Sequence, residues 1–285
     1  MFSKKFQLQH RVSATLNQSK NLSPRVFATF LIIILLSLAA LIAGSPAGAK
    51  TSPQPVSPAQ PVAIATAPVP LTPQTGTSTF PGSSWQTATP QEVGMDPTKF
   101  AAAMNLLPSP SIVIRNGRIV GQKGDVARTG YVWSASKSLV ALVYARLLQQ
   151  GRIAGYDVVV PGSNVPSDPP ATFRQFLSMT SDYHLSPHSP GNHYAYNNGA
   201  VHFYGTYMKN TFYPGRSEVQ MLQDAFVSSL GFQDSLSYNS RGFLSGWDGG
   251  WSMSTRDMAR IAYLVLRNGN WNGQQLIPSS FVNEL

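Results

Sequence analysis

The sequence predicts a mixed α/β domain behind a long non-globular leader. Three observations predict it. Ser111–Arg115 and Arg118–Gly121 flank Asn116-Gly117, the dipeptide preferred in a two-residue type I′ hairpin turn, which gives a pair of strands. A helical pattern opens at Ser134 and runs to about Gln150, with Leu139, Val140, Leu142, Val143, Leu147 and Leu148 spread over more than one face. Further helical patterns with their own caps follow it. A helix apolar on several sides belongs in a core, so this one is expected to be buried and central.

The leader comes first in the chain. Val26 to Ala43 is an unbroken run without charge or proline, close to the length that crosses a hydrocarbon core. Five basic residues precede it, which predicts a cytoplasmic N-terminus. Ala47-Gly48-Ala49 has the small residues of a cleavage site. Residues 26–49 are therefore either a cleaved signal peptide or an uncleaved transmembrane signal anchor behind a basic cytoplasmic leader, 1–25. Both alternatives place the rest on the periplasmic or extracellular face. Residues 50–90 are rich in Pro, Ala, Thr, Ser and Gln with almost no charge. Such a segment buries too little apolar surface to offset its ordering entropy, so it reads as a disordered spacer. Residues 91–285 form the domain.

Charge and cysteine content narrow the function. Of 21 Lys and Arg, six precede Glu92, where no acidic residue occurs, so the net charge of +9 belongs mainly to the leader. With no basic stripe on the domain, nucleic-acid binding is excluded. The absence of cysteine removes disulfides, thiolate nucleophiles and Cys-based zinc sites. No cofactor is called for, and the oligomeric state is not readable.

Within the domain, Pro97 suits the first turn of a helix over Thr98–Leu107. The hairpin follows, then a short segment to Tyr131, then the long helix, which stops at Gly151. Residues 155–170 are loop-like and proline-rich. Thr172 can cap a helix over Phe173–Met179, and residues 181–198 are irregular and polar. Asn198–Met208 and Ser217–Leu230 are helical patterns. Ser254 can cap a helix from Arg256 to Leu266, which Asn268-Gly269 stops, and Asn272-Gly273 makes a turn.

Chemistry concentrates where the long helix begins, in Ser134-Ala135-Ser136-Lys137. Residues i and i+3 share a helix face, so the Lys137 amine can reach Ser134 Oγ. A serine hydroxyl is a weak nucleophile and needs a base. A lysine serves when neutral, and both burial and the positive end of the helix dipole disfavour the ammonium. Backbone N–H groups at the same helix end suit a developing oxyanion. The competing reading is a helix-capping serine followed by a solvated lysine. Against it, Lys137 is the only lysine in the chain with a serine three residues earlier.

These residues resemble the Ser-x-x-Lys motif of penicillin-recognising serine hydrolases. The wider pattern is most similar to the class C β-lactamase-related group, which includes esterases, D-amino-acid peptidases and aminohexanoate-oligomer hydrolases. The resemblance extends through Thr172–Ser181, Gly250–Arg260 and Asn268–Leu276. It implies a β-lactamase/transpeptidase-like fold, with an antiparallel sheet flanked by helices and a helical region beside it. Tyr196-Asn197-Asn198 is similar to the group's Tyr-x-Asn motif. By that similarity Tyr196 relays the proton with Lys137, and Asn198 binds and positions the substrate. The group's third motif, Lys-Thr-Gly or His-x-Gly, has no match after Tyr196, so the C-terminal strands that would carry it are expected to be missing or altered. The implied function is a serine hydrolase cutting an amide or ester bond in a small or peptide-like substrate through an acyl-enzyme. The alternative is a non-catalytic, membrane-tethered sensor or binding domain. A wall-associated structural role rests on the spacer alone.

Other constellations are weaker. Ser181-Asp182-Tyr183 is similar to a Ser-Asp-Asn motif but lacks the asparagine. His184, His188 and His193 share a loop, yet their spacing matches no regular metal geometry. Gly250-Trp251-Ser252-Met253-Ser254 lacks the last glycine of a nucleophile elbow.

Overall fold

The computed structural model describes residues 79–163, 170–185, 190–241 and 246–284. The leader, the run Val26–Ala43, the spacer up to residue 78, and His188 lie outside the described residues. Among the described residues no helix is long and apolar enough to cross a membrane.

In chain order, the domain opens with β1 (Gln86–Thr87) and α1 (Pro97–Leu106). The Asp96 carboxylate accepts from Thr98 N and Lys99 N at the helix start, with Pro97 in the first turn. The hairpin β2 (Ser111–Arg115) and β3 (Arg118–Lys123) turns at Asn116 and Gly117, whose φ values of 52° and 76° are the pair a type I′ turn demands. β4 (Thr129–Tyr131) leads through a 3-10 turn (Trp133–Ala135) into α2 (Ser136–Gln149). The expected helix start at Ser134 is thus corrected: Trp133 has a left-handed φ of 49°, and Ser134 sits in the tight turn before the α-helix rather than inside it. A single left-handed residue lets the chain leave a strand and enter a helix at once, at a local cost of about 1 kcal/mol.

α3 (Phe173–Leu177), α4 (Asn198–Phe212), α5 (Glu218–Leu222) and α6 (Ser228–Leu230) form the helical part, with a π-helical turn over Gln223–Val227 joining the last two. β5 (Ser237–Tyr238), β6 (Trp251–Ser254), α7 (Thr255–Leu266), β7 (Asn270–Trp271), β8 (Gln274–Gln275) and α8 (Ser279–Glu284) complete the order. Among the described residues two three-stranded sheets result, β1-β3-β2 and β4-β6-β5, plus the two-stranded β7-β8. The expectation of an antiparallel sheet is amended in one place, because β1 runs parallel to β3 through Gln86 opposite Arg118. A two-residue strand at the domain's entry can dock in either direction, and no hairpin constrains it.

The core is built on α2. Leu139, Val140, Leu142, Val143, Tyr144 and Leu147 are all buried, on more than one face as the sequence pattern requires. Each such side chain contributes about 1.5–3 kcal/mol of burial free energy. Phe173, Phe176, Tyr204, Met208, Phe226, Trp251 and Leu264 close around it. Gly151, at φ 67°, ends the helix.

Caps fall where the sequence places them. Thr172 forms a capping box with Gln175 at the start of α3, whose end at Leu177 comes two residues earlier than expected. Thr172→Ala is expected to cost about 1 kcal/mol in urea unfolding, with the midpoint lowered and the m-value unchanged. Ser254 Oγ accepts from Asp257 N at the head of α7. At the same end Arg256 grips Asp234 with two bonds, Nε to Oδ2 at 2.6 Å and Nη2 to Oδ1 at 2.5 Å. That guanidinium holds the Asp234 carboxyl below the ordinary carboxylate range. A carboxyl lowered on folding stabilises the fold above its unfolded value of about 3.9, and the contribution is lost as pH falls through the folded value. Asp234→Asn is therefore expected to lower stability by about 1–2 kcal/mol at neutral pH. The gap to the wild type should narrow on acidification below about pH 4, readable as converging thermal midpoints.

Candidate active site

The head of α2 and the entry to α4 meet at the surface. Ser134 Oγ lies 2.8 Å from Tyr196 Oη, and Lys137 Nζ donates to Ser134 Oγ at 3.4 Å. The lysine amine also stands 4.8 Å from the centre of the Tyr196 ring. Three of the four residues singled out in the sequence are thus brought together, Ser134 and Tyr196 from 62 positions apart. Ser134 and Tyr196 are exposed and Lys137 is half-buried, so the hydroxyl faces solvent while the amine is partly sheltered. Asn198 is in the first turn of α4, exposed, two residues past Tyr196, and has no hydrogen bond to the other three. Its neighbour Asn197 does the structural work: Oδ1 accepts from Ala200 N at 3.0 Å and Nδ2 donates to Tyr183 O at 2.6 Å. The strand-like approach to Tyr196 is pinned by Ala195 N donating to Met179 O at 2.8 Å.

Lys137 has a second acceptor that sequence reasoning missed. Its amine donates to the backbone carbonyl of Asp248 at 2.9 Å, across 111 positions. The only signal was the crowding of glycines around it, Gly246, Gly249 and Gly250, which marks a tight backbone approach. Gly246 N donates to Asn239 O, and Gly250 N to Gly246 O, both at 2.8 Å, which holds the turn at 246–250 beside Asn239.

Burial acts on two other phenols. Burial raises Tyr238 above its ordinary value, with Glu218 and Asp248 adding to the shift. Partial burial does the same to Tyr194, helped by the neighbouring Tyr196. Both keep their protons at neutral pH. Along α4, a groove of about 490 Å³ is lined by Tyr183, Gly199, His202, Phe203, Thr206 and Tyr207 among others.

The weaker constellations have structural roles. Ser181 and Asp182 are buried, and Tyr183 N donates to Ser181 Oγ at 3.4 Å. His193 Nε2 is 3.1 Å from Asp182 Oδ1, and His184 meets the Tyr183 ring edge-on. Among the described residues no group of three or more His, Cys, Asp or Glu side chains could hold a metal ion. Gly250 precedes strand β6, which buries Trp251 and ends in the Ser254 cap, so no nucleophile elbow forms there.

A serine, a lysine and a tyrosine in mutual contact at the head of a buried helix, within an α/β frame, is an arrangement suited to acyl transfer by a serine hydrolase. Residues 112–281 match the sequence family described as Beta-lactamase, and the chain belongs to that family. Its members are serine hydrolases acting on amide or ester bonds. Solved structures share the fold. A candidate 6-aminohexanoate-dimer hydrolase from Bacillus anthracis is 18% identical, with a TM-score of 0.53 over 73% of this chain and 69% of its own. A candidate beta-lactamase from Bacteroides dorei is 18% identical, with a TM-score of 0.50 over 65% of this chain and 66% of its own. FmtA from Staphylococcus aureus is 13% identical, with a TM-score of 0.51 over 72% of this chain and 73% of its own. No curated protein sequence matches the chain.

Proposed function

We propose that this protein is a serine hydrolase that cleaves an amide or ester bond through an acyl-enzyme. The observation that carries the reading is the Ser134–Tyr196 contact at 2.8 Å with Lys137 Nζ 3.4 Å from the same oxygen. Ser134 Oγ attacks the carbonyl carbon while its proton passes to the Lys137–Tyr196 pair. The pair returns the proton to the leaving amine or alkoxide as the tetrahedral intermediate collapses. A water molecule then attacks the acyl carbon as its proton passes to the same pair, and the pair hands that proton to Ser134 Oγ as the acid leaves. Asn198, at the rim, positions the substrate. Residues 26–43 direct the domain across the membrane, as anchor or cleaved signal, and 50–90 act as a spacer to the domain at 91–285.

Purified protein should hydrolyse p-nitrophenyl esters or nitrocefin with saturation kinetics. Neither turnover nor covalent labelling by an acylating probe would sink the reading, and labelling without turnover would favour a covalent binding or sensor domain. Tyr196→Phe keeps the ring against Lys137 and removes the hydroxyl. It should lower kcat by about 10²–10⁴-fold with little change in KM, as expected for loss of a proton relay.

A further inference from the structure

His202 lies one helical turn beyond Asn198 on α4, and its Nε2 sits 2.5 Å from Asp248 Oδ1. The same Asp248 offers its backbone carbonyl to Lys137 Nζ at 2.9 Å. One residue therefore turns its carboxylate to α4 and its carbonyl to the lysine. Three further contacts close this seam. Trp247 is buried, its Nε1 donates to Thr206 Oγ1 at 3.1 Å, and its ring lies so close to Gly205 that a Cβ there would approach it to 2.8 Å. The His202 imidazole covers Gly246, whose φ is +77° and where a Cβ would come within 1.7 Å of Cε1. The turn is held on its other side by Asn239 N donating to Gly250 O at 2.9 Å. The 246–250 turn is thus pressed between α4 and the β4-β6-β5 sheet.

We propose that the His202–Asp248 pair is a positioning device for Lys137, fixing the Asp248 carbonyl and through it the direction of the lysine amine toward Ser134. A lysine is a flexible four-carbon stem carrying a compact set of donors, so without a fixed acceptor its amine samples many directions. A carbonyl accepts from both the charged and the neutral amine, so it can hold Lys137 before and after proton transfer. The pair sits on the face of α4 that follows Tyr196 and Asn198, so it also ties the two halves of the site together. This inference rests on the reading of Ser134 and Lys137 as the reacting pair.

The test compares rates of covalent labelling by a fluorophosphonate probe, in which Ser134 Oγ bonds to phosphorus as fluoride leaves, in wild type, His202→Ala, Asp248→Ala and the double variant. A displacement of about 1 Å in a reacting group costs on the order of 10²-fold, so a fall of about 10–100-fold in the labelling rate is expected, with probe affinity little changed. The double variant should be no slower than either single, because one contact is lost in all three. Asp248→Asn keeps an acceptor for the imidazole N–H and should recover most of the rate lost in Asp248→Ala. Rescue by the amide, with matching thermal midpoints, separates positioning from a loss of folding. A readout independent of catalysis is the ¹³Cε signal of Lys137 in protein labelled with ¹³C-lysine, assigned with Lys137→Arg. In His202→Ala it should move toward the signals of solvent-exposed lysines. A wild type that never labels overturns the hydrolase reading, while the lysine signal still reports on the clamp. Equal labelling in all variants with an unmoved Lys137 signal overturns the clamp.

Discussion

Ser134→Ala is expected to abolish covalent labelling by fluorophosphonates and fluorescent penicillins, and to lower turnover of p-nitrophenyl esters by at least about 10³-fold. The substitution removes one oxygen from an exposed turn. Ser134 is not the cap of α2, since that helix begins at Ser136 with Ala135 at its N-cap and no side-chain cap bond. Stability should therefore stay within about 0.5 kcal/mol of wild type, as for surface changes away from special features. A large activity loss beside a small stability change is what distinguishes a nucleophile from a helix-capping serine. Labelling that persists in the variant would move the reacting group elsewhere.

Arg260→Ala is expected to be the most damaging single change to the fold, costing about 3–5 kcal/mol. The side chain is fully buried, on α7. Its guanidinium donates to Leu230 O at 2.6 Å, Gly82 O at 3.1 Å and Gln233 Oε1 at 3.3 Å. It also faces Asp257 at 3.9 Å and lies over the Trp85 ring. One cation therefore fastens the entry segment and the end of α6 to α7. Without it, the buried Leu230 carbonyl and the Gly82 carbonyl lose a donor, and the buried Asp257 carboxyl loses its nearest cation. Burial already pushes the Asp257 carboxyl above its ordinary range, so the loss of that neighbour deepens an existing cost. Arg260→Lys should rescue only a fraction, because a point charge cannot reach three acceptors that a planar fork spans. Urea unfolding reads both changes, and a wild-type midpoint for Arg260→Ala would refute the bridging role.

How much of this is legible in the sequence depends on the range of the interaction. Asn116-Gly117 specifies its turn because only residues tolerant of positive φ can occupy both positions. Thr172 and Ser254 specify helix starts because each bonds a backbone N–H three residues away. The burial of α2 follows from apolar residues on several faces. The Ser134–Lys137 spacing is equally local, which is why it stands out before any fold is known. Tyr196 enters only through resemblance to a family motif, since nothing in its own loop distinguishes it from Tyr194.

By itself, then, the sequence determines the α/β class, where most helices lie and the caps at Thr172 and Ser254, and a serine and lysine within reach of each other. Tertiary structure alone decides that Tyr196 closes on Ser134, that the Asp248 carbonyl meets Lys137, that His202 meets Asp248, and that β1 enters parallel to β3. The physical reason is the same in each case. Caps, turns and helix faces are set by neighbours within about four residues. A contact between distant positions depends on how whole elements pack, and here on glycines that let α4 and the 246–250 turn approach closely enough to aim one lysine.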